Sequence, residues 1–418
     1  MASIFNFCRS PIRPVVVVLG VAVCVSTAVG QKRLPGVIRD RNELRNTTVA
    51  AQTALLGRGQ LTPAKKNALK KYYRHIIAGM TTPQGEANLP KLRSTLKTAT
   101  NRAASAATHK YLTDLFFGGL RAIADPTKGY SAAARYNAIL ALGDLNSREE
   151  RREGREITQR VVPYANAREF LHERMKDKPD AIHVACLLGL KRHATALAED
   201  SKQQQDNRIG RIMLEILNRK EPPAGISEDG HLWMKRIAIE TLGCMRNPAF
   251  VKVLLPIAQD ETASLAMRCA AVEALGRLEY KKGQADPKLT ATIGHLAVAA
   301  CKSEVTRLTS EIEGDGVTGG RGRFVDGGAR FGSSRDEVNP VVQRTRRQLI
   351  GDLRCVAISI KNIKERLPND NMAEADALLK QVSKLANMLS KEAPDFGPEE
   401  LLSRLEADTT TLETSVSH

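Results

Sequence analysis

Three stretches of the chain align without gaps and share one arrangement of apolar and polar positions: Arg135 to Leu145, Lys235 to Met245 and Arg268 to Leu278. Each opens on a basic residue (Arg135, Lys235, Arg268) and continues through an Ala (Ala138, Ala238, Ala271) and a β-branched residue (Ile139, Ile239, Val272). A Leu (Leu142, Leu242, Leu275), a Gly (Gly143, Gly243, Gly276) and a final Leu or Met (Leu145, Met245, Leu278) follow. The Ala, the β-branched residue, the Leu and the last apolar residue fall at i, i+1, i+4 and i+7, which is one stripe of an α-helix. The small Ala lets a neighbouring helix come close, and the Gly, near the helix end, eases either packing or termination.

A shorter helix precedes these stripes. Asn247-Pro248 supplies a cap and a first-turn proline for an amphipathic run that ends at Asp260, and a brief turn leads into the Arg268 helix. Tyr111 to Asp125, a turn containing Pro and Gly, and the Arg135 helix repeat that layout. Neither helix pair can bury its apolar stripe alone, so the units must stack on one another. The pattern resembles the HEAT-like repeats of α-solenoid proteins over about residues 109 to 302, with Asn247 to Leu278 the best fit. Ala181 to Leu190 and Ile293 to Cys301 are degenerate copies, and the distance from Gly143 to Gly243 calls for an irregular unit between them. The resemblance implies an all-α chain, a right-handed α-solenoid of HEAT-like helical hairpins with flanking helices. It implies a binding surface and no particular reaction. It also implies a ladder of acidic and basic residues between successive units, with Asp125, Asp260, Arg135, Lys235 and Arg268 as candidates. Asp144 becomes Cys244 and Arg277 in the other copies, so one acidic position is not maintained.

Outside the repeats, Thr62-Pro63 starts a helix with Leu69, Tyr72, Tyr73, Ile76 and Met80 on one side and Lys65, Lys66, Lys70, Lys71 and Arg74 around it. Residues 314–332 hold eight Gly and read as a flexible linker within 303–337. Asn339-Pro340 opens a long amphipathic helix through Ile360, and a second starts near Asp370, within C-terminal helices expected over 338–406. The polar run Asp408 to Thr411 marks 407–418 as a disordered tail.

Composition narrows the class and the compartment. Aromatic residues are 4% of 418, too few for a large β-sandwich, whereas 42% hydrophobic and 26% charged residues suit a folded soluble chain. The formal charge of +17 is concentrated: residues 31–110 carry 16 Lys or Arg against three acids, while 111–418 carry 45 against 43. Arg9 and Arg13 followed by the uncharged run Val15 to Gly30 read as a secretory signal over residues 1–30, cut before Gln31. An uncleaved membrane tether is the alternative, and Cys24 lacks the small preceding residue that a lipid-attachment site needs. Cys186, Cys244, Cys269, Cys301 and Cys355 remain, an odd count at wide spacing, expected as buried thiols, although a chance pair such as Cys244 with Cys269 could oxidise where neighbouring helices bring them close.

Candidate chemistry is sparse. Gly314 to Gly319 matches the dinucleotide-loop spelling but follows a helical stretch and precedes more glycine, where the mechanism requires a strand before and a helix after. Arg321, Arg323 and Arg330 with Phe324 and Phe331 give only a single Arg-Gly pair of the RNA-binding kind. His183, Cys186 and His193, and separately His172-Glu173, lack a partner cluster with zinc spacing, and no nucleophile elbow or phosphate loop occurs. No metal, catalytic residue or small-molecule cofactor is therefore expected. The Lys65, Lys66, Lys70, Lys71 and Arg74 helix is either a solvated face or a site for an anionic polymer or lipid headgroups. The expectation is an exported, non-enzymatic interaction scaffold that binds a protein partner on its helical surface. A nucleic-acid-binding protein similar to the HEAT-like DNA glycosylases is one alternative, disfavoured by export and by the near-neutral repeats. An envelope enzyme on a repeat scaffold is the other.

Overall fold

The computed structural model describes residues 32–177, 181–200, 206–317, 340–391 and 396–416. The export signal, the cut at Gln31 and the glycine-rich residues from Thr318 onward lie outside the described residues. Four helices open the described chain: α1 (Arg41–Leu56), α2 (Pro63–Gly79), the single turn α3 (Pro83–Glu86) and α4 (Leu89–Arg102). Asp40 caps α1 by accepting from the Glu43 amide, and Thr62 caps α2 through the Lys65 amide, with Pro63 in the first turn where its missing N–H costs nothing.

Helices then come in pairs. They are α5 (Ala106–Ala124) with α6 (Ala132–Gly143), α7 (Ala165–Arg174) with α8 (Ala181–Glu199), and α9 (Asn207–Asn218) with α10 (Glu228–Cys244). Next are α11 (Val251–Gln259) with α12 (Leu265–Arg277) and α13 (Lys288–Val317) with α14 (Pro340–Lys364). Each pair packs within itself, and the second members α6, α8, α10, α12 and α14 pack one on the next in a continuous layer. At one end α2 rests on α5 and α4 on α6; at the other, α15 (Asn369–Lys391) rests on α14 and α16 (Pro398–Val416) on α13. The chain is mostly helical, and its many packed helix pairs are compatible with a helical-repeat fold.

The recurring residues lie where this layer is tightest. Ala138, Ala238, Ala271, Leu142, Leu242 and Leu275 have no exposed surface. A Cβ built on Gly143 would fall 2.7 Å from the Gly189 Cα in α8, one on Gly243 2.6 Å from the Ala274 Cα, and one on Gly276 2.7 Å from the Ser359 Cα. The repeat glycine is thus a helix-crossing residue: the next second helix presses its own backbone into the gap left by the missing side chain. Of the two roles open in the sequence, packing is the one these contacts assign.

The turns between paired helices repeat as well. Asp125 accepts from the Thr127 amide at 2.9 Å and its hydroxyl at 2.7 Å, and Asp260 does the same with Thr262 at 3.0 and 2.6 Å. These are Asx turns, in which the carboxylate replaces a backbone partner and stops the first helix.

Three features depart from the sequence reading. The irregular unit after Gly143 contains short strands: β1 (Asn146–Arg148) pairs with β4 (Val162–Pro163), and β2 (Arg151–Glu153) with β3 (Glu156–Gln159) around Gly154 at φ 60°. β2 is wholly exposed and charged, and β3 alternates exposed and half-buried positions with Ile157 its single apolar residue, so the apolar alternation that announces a strand is too short to read. Second, α13 stays helical to Val317, well past the expected boundary at 303, because Leu308 continues its buried stripe and Arg307 clamps Glu304 and Glu311 on the same helix. Third, the expected tail is helix α16 to Val416: Leu401, Leu405, Thr409 and Leu412 form a buried stripe, and Thr409 returns its hydroxyl hydrogen bond to the Leu405 carbonyl at 2.5 Å.

Candidate functional site

The basic helix α2 sits between α1 and α5. Its apolar side is fixed by Leu69, Tyr73 and Ile77, and Tyr73 meets Phe116 of α5 edge-on at 5.1 Å. Burial pushes the Tyr73 hydroxyl up to about 12. The strap before α1 is tied to the same helix: the Ile38 amide donates to His75 Nδ1 at 3.0 Å, and burial lowers the His75 pKa, favouring the neutral ring that accepts this bond. Of the five predicted cations, Lys65 is half-buried and donates to the Gln60 carbonyl at 3.2 Å, and Lys71 pairs with Glu43 at 2.7 Å. Lys66, Lys70 and Arg74 are exposed, at i, i+4 and i+8 on one face, with the Lys66 ammonium 5.9 Å over the Tyr111 ring. Among the described residues no carboxylate forms an ion pair with these three.

A second polar surface runs along the layer of second helices. Lys97 and Arg192 both approach Asp144, at 3.5 and 3.6 Å, and Arg192 also donates to the Gly143 carbonyl at 2.6 Å and to Asn146 Oδ1 at 2.5 Å. Arg192 thereby satisfies the open C-terminal carbonyl of α6 from α8, and burial lowers its pKa. One unit on, Lys191 pairs with Glu240, which also takes Arg236 at 3.1 Å. Further along, Glu273 pairs with Arg277, and Arg277 reaches Cys244 Sγ at 3.7 Å. The carboxylate of Asp352 accepts from Gln348 at 3.2 Å and faces Cys269 Sγ at 3.9 Å; burial raises its pKa.

These pairs correct the expected ladder. Asp125 and Asp260 are engaged in their own turns, Arg268 is buried with Nε on the Ala258 carbonyl at 3.1 Å, and Lys235 and the partly buried Arg135 join no ion pair among the described residues. The links that tie α8 to its neighbours, Lys191 to Glu240 and Arg192 to Asn146, join residues 49 and 46 positions apart, and no local pattern in the sequence announces them.

The remaining candidates resolve into structure. Cys186, Cys244, Cys269, Cys301 and Cys355 form no disulfide with one another, so Cys244 and Cys269 are not joined, and burial pushes the Cys269 and Cys301 thiols up to about 12, far from a reactive thiolate. His193 has no exposed surface and is held down to about 3, first by burial and then by Arg192 and Arg168. His172 bonds Asp206 at 3.2 Å, and Asp206 also takes Arg168 at 3.1 Å and Arg208 at 2.9 Å, tying α7 to the cap of α9. Burial works against the Asp206 charge, but the Arg208 side chain and amide and His172 outweigh it and bring the carboxylate to about 2. Among the described residues no three His, Cys, Asp or Glu side chains are grouped to hold a metal ion, and no helix is long and apolar enough to cross a membrane. Gly314 to Val317 end helix α13, and the rest of the glycine spelling lies outside the described residues. Compared with known proteins, the chain matches no family model, no curated protein and no solved structure.

Proposed function

We propose that the chain is an exported, non-enzymatic scaffold, a right-handed stack of HEAT-like hairpins that binds a protein partner on its helical surface. Its basic N-terminal helices add attachment to an anionic envelope surface. The carrying observation is the exposed row Lys66, Lys70 and Arg74, without a carboxylate partner among the described residues, in a region with 16 basic and three acidic residues. Supporting it, the layer of second helices offers a long face on which Lys191, Arg192 and Arg277 are held by groups of neighbouring units, a rigid template rather than a pocket. The test is co-sedimentation of the chain from residue 31 with phosphatidylglycerol-containing vesicles across a salt series. Wild type is expected to bind with an affinity that falls steeply with salt, and the K70E/R74E double variant at least tenfold more weakly. A flat salt response, or equal binding by the variant, contradicts the attachment role.

A further inference from the structure

The last two helices hold a charge pattern that neither the repeats nor the basic N-terminus accounts for. Residues 369–416 contain ten Asp or Glu and only four basic residues, Lys380, Lys384, Lys391 and Arg404. All four basic side chains line an open cleft between α15 and α16, of about 730 Å³, whereas of the eight acids among the described residues only Asp408 does. The cations of an acidic segment therefore gather at one cleft, where Arg404 also meets Glu400 at 3.7 Å and the Phe396 ring at 5.1 Å. α15 packs on α14 and α16 on α13, and the two touch each other far less, which leaves the cleft open along their length. Met388 and Ala407 give it an apolar lining, with Ser383 and Asn387 as hydrogen-bonding groups. Lys380, Lys384, Asn387 and Lys391 fall at i, i+4, i+7 and i+11, a row of about 16 Å along one helix face.

We infer that this cleft binds an acidic, amphipathic segment of a protein partner, its carboxylates on the Lys380, Lys384, Lys391 and Arg404 row and its apolar side on Met388 and Ala407. The assignment rests on the reading that the partner is a protein, and names the chemistry of the segment. Three observations select it. The cations are spread along a strip rather than converging on a point, as several carboxylates at helical spacing require and a compact phosphate does not. Among the described residues no aromatic side chain lines the cleft, and the Phe396 ring beside it is covered by the Arg404 guanidinium at 5.1 Å, so bases of a nucleic acid would find no open ring to stack on. The lining mixes apolar and cationic groups, which suits a helix laid in a groove.

The test is fluorescence anisotropy of the full chain from residue 31 with a labelled Leu/Glu peptide whose glutamates lie at i, i+4, i+7 and i+11. A second peptide of the same composition scatters them around the helix. Wild type is expected to prefer the patterned peptide, and K384E/K391E, at two exposed positions, to weaken it at least tenfold with an unchanged circular dichroism melt. The α2 variant K70E/R74E should bind the peptide as wild type does, which separates a failure here from a failure of the attachment role. No binding, or equal binding by K384E/K391E, overturns the assignment. So does displacement of the peptide by inorganic tripolyphosphate at matched charge, which would mark a small-polyanion site. Self-association of wild type that K384E/K391E abolishes, read by analytical ultracentrifugation, would make a second copy of this chain the occupant and also overturn it.

Discussion

The α11/α12 and α7/α8 pairs occupy equivalent places in the same stack, yet they are fastened by different physics. α12 is buried almost throughout: Met267 to Val272 and Ala274 to Gly276 are inside, and it meets its neighbours through bare backbone at Gly276 and Ala274. The α7/α8 pair also buries Leu171, Leu187 and Leu190, but around them it holds His172, Arg168 and Arg192, joined to Asp206, Asp144 and the Gly143 carbonyl, with the His193 ring buried beside them. Apart from the buried Arg268 on the Ala258 carbonyl, the first pair is closed by shape, and the other by polar groups that must find partners, because each unpaired group left inside would cost about 1 to 3 kcal/mol. A regular stack can therefore pass through an irregular unit provided the polar groups exposed by that irregularity are satisfied from the next unit.

That contrast can be broken from either side. Leu275→Ala at the apolar pair should cost about 2 to 5 kcal/mol, because its neighbours are backbone-close and cannot collapse into the space. Urea denaturation followed by circular dichroism would show a lower midpoint, and a loss under about 1 kcal/mol would mean that α12 is not buried as described.

The polar pair should respond to pH where the apolar pair does not. His193 has its folded pKa depressed from the usual 6.5 to about 3, so its contribution is fully present above about pH 6.5 and is lost as pH falls toward 3. The slope is about 1.4 kcal/mol per pH unit for one proton. His172, also lowered by burial, acts in the same direction. Denaturation between pH 7 and pH 4.5 is expected to show this loss, with His193→Leu flattening it; a wild type with level stability over that window would contradict the buried, neutral ring. The Asp206 carboxylate works in a lower window. Its pKa, near 2 when folded, gives stability above about pH 3.8 that is lost as pH falls toward 2. Asp206→Asn should cost about 1 to 3 kcal/mol at neutral pH, discounted for its partial exposure. Hydrogen exchange should localise that loss to α9.

The same contrast explains what was legible in the sequence. Apolar stripes at helical spacing, capping residues such as Thr62 and Asn247, and the Leu-Gly pair report local geometry, so α2, α6, α10 and α12 stand out from residues close together in the chain. The fasteners of α8 do not, since Arg192 and Lys191 find Asn146 and Glu240 across 46 and 49 residues, and nothing near them in sequence marks the partner. The β strands were hidden by their charge, because Arg151 to Glu153 carries no apolar side to alternate. In the C-terminal helices the stripes were visible, but the convergence of four cations on one cleft needs two helices at once and belongs to tertiary structure. The threonine-rich end of α16 misled for a related reason: Thr409 is polar by composition and buried by position.

The glycine crossings test the account most directly, because one chemical change should act with opposite sign at two kinds of site. Gly118 in α5 and Gly351 in α14 have open space where a Cβ would go, whereas Gly143, Gly243 and Gly276 face a neighbouring backbone within 2.7 Å of it. Chemical denaturation of five single Gly→Ala variants would read the difference. Gly118→Ala and Gly351→Ala are expected to stabilise the chain by about 0.5 to 1 kcal/mol through helix propensity. Gly143→Ala, Gly243→Ala and Gly276→Ala are expected to destabilise it by about 1 to 3 kcal/mol through overpacking. If alanine stabilises the repeat glycines as well, the second helices do not cross there and the stacked layer is wrong.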